Sequence, residues 1–133
     1  MGWWQREKAM QPNGAETTRV KGQQAEDLAL AYLQGQGLKL LARNYKTPGR
    51  GGGEIDLILR AEDGTVVFVE VRSRSHQGFG GAAHSIGAMK RQRIVFAAQH
   101  WLLRTGVQSA CRFDVVLLDG KQLQWMCGAF DAA

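Results

Sequence analysis

Apolar residues recur along this chain at two spacings, and the switches between them mark its elements. Ala25, Leu28, Ala29, Tyr32 and Leu33 fall three and four residues apart, which puts them on one face of a helix from Gly22 to about Gly35. Gly35 and Gly37 close it. Leu38 to Tyr45 alternates loosely and predicts a strand, and Thr47-Pro48-Gly49-Arg50-Gly51-Gly52-Gly53 must be loop. Two strands follow, at about 54–60 and 65–73, joined by Glu62-Asp63-Gly64. After an irregular, glycine-rich stretch over 75–85, Ile94, Ala97, Ala98, Trp101 and Leu102 form the apolar stripe of a second helix from about Ala88 to Arg104. Arg112 to Leu118 reads as a largely buried strand, Asp119-Gly120 as a turn and Gln122 to Met126 as a short closing strand. This order predicts an α/β fold with a central mixed β-sheet flanked by helices. Residues 1–20 sustain no period and are expected to form a flexible tail, with Trp3-Trp4 as an apolar spot. Residues 21–133 then make one domain.

The pattern in the two joined strands is broken by charge. Glu62-Asp63-Gly64 reads as a three-residue hairpin loop with its glycine in the left-handed position. Pairing Ala61 with Thr65 sets Ile58 opposite Phe68, Asp56 opposite Glu70 and Glu54 opposite Arg72. Every pair then falls on a matching face, whereas a slip of one residue would set polar against apolar positions. Val67, Val69 and Val71 face one way; Val66, Phe68, Glu70 and Arg72 face the other. Carboxylates directly opposite on a sheet have Cβ atoms only about 4.5–5.5 Å apart and repel. A shared proton, a nearby cation or a bound metal must offset this. Mg²⁺ binds through one or two carboxylates plus waters and phosphate oxygens, which two facing acids can supply. The competing reading leaves both acids at the open end of the hairpin, relieved by Arg72 or another basic side chain.

Length and charge narrow the setting. At 133 residues the chain has room for one core. A formal charge of +5 favours a polyanionic partner. Two cysteines, Cys111 and Cys127, are too few for a disulfide framework or a zinc site, so a reducing cytoplasm is expected. No apolar run reaches the length of a membrane span, and the N-terminus lacks a signal-peptide core. No membrane partner is expected.

Further charged residues flank the acids. Glu26 projects from the edge of the first helix's apolar stripe, where a carboxylate reaches either over the sheet or out to water. Lys90, Arg91 and Arg93 open the second helix, where cations are mildly disfavoured by the helix dipole. Phosphate binding would explain them; a solvated face is the alternative. Arg43, Lys46, Arg50 and Arg74 add positive charge. His76, His84 and His100 have no metal-ligand spacing, and Asp114 is expected to anchor Arg112 or a nearby loop.

Several of these segments carry a resemblance. Gly53-Glu54-Ile55-Asp56-Leu57-Ile58, Val67-Phe68-Val69-Glu70-Val71-Arg72-Ser73-Arg74, Phe79-Gly80, Lys90 and Arg112-Phe113-Asp114-Val115-Val116 resemble the YraN family of small bacterial proteins, over about Gly22 to Phe130. That family is similar to the Holliday-junction resolvases of the PD-(D/E)xK restriction-endonuclease-like superfamily. The resemblance implies a restriction-endonuclease-like fold and a metal-dependent endonuclease acting on DNA, with branched or junction DNA as the substrate class. It implies that Glu26 is the helix acid, Asp56 the metal-binding acid, and Glu70 with Arg72 the (D/E)xK element. Asp56, Glu70 and Glu26 would hold Mg²⁺ or Mn²⁺, while Arg50, Arg74, Lys90, Arg91 and Arg93 would contact the nucleic acid. Resolvase-like relatives act as dimers, which makes a homodimer the implied assembly.

One position departs from the superfamily pattern. Arg72 stands where that pattern has lysine, and a guanidinium stays protonated and can only hold or polarise. Arg72 could equally pair with Glu54 across the strands. The alternative function is a nucleic-acid-binding or adaptor protein that keeps the fold without turnover.

Overall fold

The computed structural model describes residues 14–73 and 86–132. Helix α1 spans Gly14–Gly35, strands β1 to β3 span Lys39–Lys46, Glu54–Arg60 and Val66–Ser73, helix α2 spans Ala88–Thr105, and strands β4 and β5 span Cys111–Asp119 and Gln122–Phe130. The mixed sheet has the order β1-β2-β3-β4-β5. Only β3 and β4, the strands joined through α2, run parallel, with Glu70 level with Val115.

The alternation of the strands sorts the core into two layers. Phe68, Val66, Ile58, Phe113 and Val115 pack under Ile94, Ala97, Ala98 and Trp101 of α2. Leu57, Leu59, Val67, Val69, Val116 and Leu118 pack under Ala25, Ala29 and Leu33 of α1. One helix therefore covers each face of the sheet. Among the described residues, no helix is long and apolar enough to cross a membrane.

The hairpin forms in the expected register, with Ile58↔Phe68 and Arg60↔Val66 paired. Ala61 N–H donates to Thr65 O at 2.8 Å, Gly64 N–H donates to Ala61 O at 2.9 Å, and Gly64 has φ 92°. The turn glycine thus occupies the conformation its place demanded.

Two boundaries and one buried face differ from the pattern reading. Helix α1 begins at Gly14, eight residues before the expected start at Gly22. The added turns carry no apolar stripe, so periodicity could not register them, although Ala15, Glu16 and Lys21 are good helix formers. Within the expected stripe, Leu28 and Tyr32 are exposed while Ala25, Ala29 and Leu33 are buried. Strand β5 runs four residues past Met126 to Phe130, where the Phe130 ring stacks on Phe113 at 4.9 Å.

Candidate metal and nucleic-acid site

Asp56 sits where the sheet loses its alternation. In a regular strand Ile55 and Leu57 would share a face; here Ile55 packs in the α2 layer and Leu57 in the α1 layer. Strand β1 turns over at the same level. Its pairs Arg43↔Leu57 and Tyr45↔Ile55 flank Asn44, whose φ is 53°, a left-handed conformation that asparagine tolerates better than most residues.

The break decides where the carboxylate goes. The β2–β3 ladder stops at Leu57↔Val69, and beyond its end the Val71 N–H donates to Asp56 Oδ2 at 2.8 Å. A side chain has replaced a backbone carbonyl as acceptor, which tethers Asp56 to the strand carrying Glu70. Neither expected pair beyond Leu57↔Val69 forms in the ladder, Asp56 with Glu70 or Glu54 with Arg72, and no ion pair joins Glu54 to Arg72 among the described residues. Arg72 instead lends its charge to Glu70.

Electrostatics follow from this geometry. Asp56 is pushed from 3.8 up to about 7, by burial first and then by the Glu70 charge; Glu26 adds a further push, against the Val71 N–H and Lys90. Glu70 is only 8% exposed and is also raised, by burial, against the pull of Lys90, Arg72 and a hydrogen bond with Asp56. Asp56 therefore keeps its proton toward neutral pH, which eases its repulsion with Glu70. Lys90 Nζ lies 3.5 Å from Glu70 Oε2. The side chain that sequence reasoning assigned to phosphate thus reaches the acid pair itself. A hollow of about 430 Å³ lies over this point, lined by Glu70, Val71, Arg72, Ser73, Gly87 and Lys90.

Glu26 is near enough to influence Asp56 but has its own partner. Arg43 Nε donates to Glu26 Oε1 at 3.3 Å, and another guanidinium nitrogen donates to Asp27 Oδ1 at 2.7 Å. Among the described residues, no group of three or more His, Cys, Asp and Glu side chains gathers closely enough to hold a metal. The donor set is therefore two carboxylates. It fits a hard, oxygen-seeking ion such as Mg²⁺ or Mn²⁺, whose other positions go to water and substrate, and lacks the Cys and His ligands zinc favours.

The predicted basic residues divide. Lys90 and Arg93, three apart on α2, both face the 47–53 loop. Arg91 is turned away, with its guanidinium donating to Ile86 O at 2.6 Å. Arg50 is exposed on the loop. Arg74, Phe79-Gly80, His76 and His84 lie outside the described residues, as do Trp3 and Trp4. His100 meets the Tyr45 hydroxyl through Nδ1 at 2.5 Å.

Gly53 positions α2 over the acids. A Cβ there would collide with the Arg93 carbonyl oxygen, so only glycine lets the start of β2 touch the helix backbone. This close approach brings Lys90 and Arg93 alongside the strand that carries Asp56. The strand break and the Lys90–Glu70 contact both escaped sequence reasoning; an asparagine within an apolar strand, Asn44, was the one signal for the break.

A profile of the uncharacterised protein family UPF0102 matches residues 25–118. The chain belongs to UPF0102. The YraN resemblance drawn from the motifs is this family. The matched span takes in Glu26, Asp56, Glu70, Arg72 and Lys90 and leaves out β5. UPF0102 relatives include a protein of Acidovorax sp. (strain JS42), 65% identical over 119 residues covering 90% of each chain. A second, from Paracidovorax citrulli, is 63% identical over 128 residues, 94% of this chain and 95% of the other. A third, from Cupriavidus taiwanensis, is 54% identical over 114 residues, 86% and 85% of the two chains.

Proposed function

We propose that this UPF0102 protein is a DNA endonuclease that hydrolyses phosphodiester bonds with Mg²⁺ or Mn²⁺ held by Asp56 and Glu70. The observation that carries the reading is the acid pair, Glu70 buried and Asp56 half-buried, with Asp56 raised to about 7 and cations on its rim. Lys90 and a hydrogen bond within the pair relieve part of the repulsion, and a bound divalent cation would relieve the rest.

Each side chain then has a task. A divalent cation bound there supplies Lewis acidity toward a phosphate oxygen and acidifies water at the site. Asp56 is tethered through Oδ2 to the Val71 N–H, which holds its carboxylate beside Glu70, where a cation would lie. Glu70 is steadied by Lys90. Arg72, permanently protonated, holds a phosphate oxygen and stabilises negative charge developing at phosphorus, but takes no proton. Glu26 would act through water. Of the cations expected to grip flanking phosphates, Lys90 faces the acid pair, Arg93 faces the adjoining 47–53 loop, and Arg91 is committed to Ile86. Branched or junction DNA is the substrate class that the resemblance suggests.

Arginine at the lysine position, together with a donor set of two carboxylates, favours a second reading: a nucleic-acid-binding or adaptor protein without turnover. Incubating the protein with branched and single-stranded DNA plus Mn²⁺, beside Asp56→Ala, separates the two. The endonuclease reading expects cleavage that the substitution reduces by at least about 100-fold. Binding by both proteins with cleavage by neither would leave the adaptor.

A further inference from the structure

A second hollow adjoins the acid pair. It has a volume of about 420 Å³ and lies between the 47–53 loop and the first turns of α2, with Lys46, Thr47, Glu54, Lys90 and Arg93 around glycine backbone. Its rim is clasped: Gly53 N–H donates to Thr47 Oγ1 at 2.8 Å, and Thr47 N–H donates to Gly53 O at 3.0 Å. The loop is thus held in shape.

Charge around this hollow is unbalanced. Three cations from two elements face one carboxylate, Glu54. Lys46 stands directly opposite Glu54 in the β1–β2 register, yet neither Lys46 nor Arg93 has a carboxylate within ion-pair distance among the described residues. Cations left unpaired beside bare backbone make an anion site. Lys90 lines this hollow as well as the one over Glu70, so the two meet at a single ammonium. Two open hollows joined at one cation suit an extended polyanion better than a small one.

We infer that the 47–53 hollow is a phosphate subsite: it holds a phosphate of a polynucleotide strand flanking the one at the acid pair. Lys46 and Arg93 grip it, and Lys90 lies between the two phosphates. The inference takes the position of the cut from the endonuclease reading, but the binding it describes requires neither metal nor cleavage.

The test is equilibrium binding of a fluorescent single-stranded oligonucleotide to the full chain in EDTA, over a salt series. Wild type is compared with Lys46→Ala/Arg93→Ala and with Lys39→Ala/Lys121→Ala, which removes two exposed cations elsewhere. The first pair should weaken binding about tenfold at low salt and flatten the plot of log K against log salt by about 0.7 for each phosphate no longer neutralised. The second should change affinity less than about twofold. Thermal melts within a few degrees of wild type confirm that the variants fold. Equal losses from both pairs, no loss from the first, or no binding by wild type would each overturn the subsite. Failure of the Mn²⁺ cleavage assay would leave this result standing, so the two readings fail separately.

Discussion

Asp114 and Asp56 both sit on strands of this sheet, and they are treated in opposite ways. Asp114 on β4 is fully enclosed and well partnered. Arg112 Nε donates to it at 3.0 Å, Trp125 Nε1 at 2.9 Å and the Gly128 N–H at 2.9 Å. Asp56 on β2 receives one backbone donor, faces Glu70 and is pushed up to about 7. Burying a carboxylate is costly in either place. At Asp114 the protein supplies donors and an arginine, which makes the acid a clamp joining β4 to β5. At Asp56 it supplies a second acid, which stores repulsion that a cation from outside can relieve. Burial alone therefore does not mark a site; an incomplete set of partners does.

The contrast has measurable consequences. Asp114→Ala should destabilise by about 3 kcal/mol, because it strips an acceptor from Trp125 and Gly128 and leaves Arg112 without its carboxylate. Urea denaturation would read this as a lower midpoint, and a loss below about 1 kcal/mol would deny Asp114 its clamp.

Asp56 predicts the reverse sign. Its carboxyl ionises near 3.8 in the unfolded chain and near 7 in the folded one, so between those values the folded state holds the extra proton. Stability contributed by this group therefore falls as pH rises from about 4 to about 7. The loss is at most ~4 kcal/mol for the shift from 3.8 to about 7. Without divalent ions, Asp56→Asn should be more stable than wild type at pH 8 and should lose most of this slope. Adding Mg²⁺ at pH 8 should raise the melting temperature of wild type more than that of the variant. Chemical denaturation from pH 5 to 8 would decide, and parallel curves for the two proteins would contradict a strained pair.

Gly53→Ala should cost about 1–3 kcal/mol through overpacking, since the new methyl would meet the Arg93 carbonyl. By moving Lys90 off Glu70 it should also strengthen the Mg²⁺ response, since the acid pair is left more negative, while leaving the Asp114 clamp intact. A variant that melts like wild type would show that α2 can shift freely at this point.

Much of this architecture was readable from local pattern. The hairpin register, the left-handed Gly64 and the partition of Val66 and Phe68 from Val67 and Val69 all follow from alternation and turn chemistry, which act over a few residues. The second helix follows as directly, since Ile94, Ala97, Ala98 and Trp101 recur at its period and are buried together. The start of α1 was not readable, because its first turns are helical without an apolar face.

The site divides along the same line. The turn register brings Asp56 and Glu70 to the same end of one hairpin, which is a local property, but the ladder ends at Leu57↔Val69 and the break in β2 decides where the Asp56 carboxylate goes. What surrounds them depends on elements far apart in the chain. The turnover at Asn44 and Asp56, the Arg43–Glu26 contact, the turning away of Arg91 and the arrival of Lys90 on Glu70 each require β1, α1 or α2 to be seated on the sheet. Spacing places a charge on a face; only packing decides which opposite charge it meets, since Coulomb interaction depends on distance in space and on the water excluded between the groups.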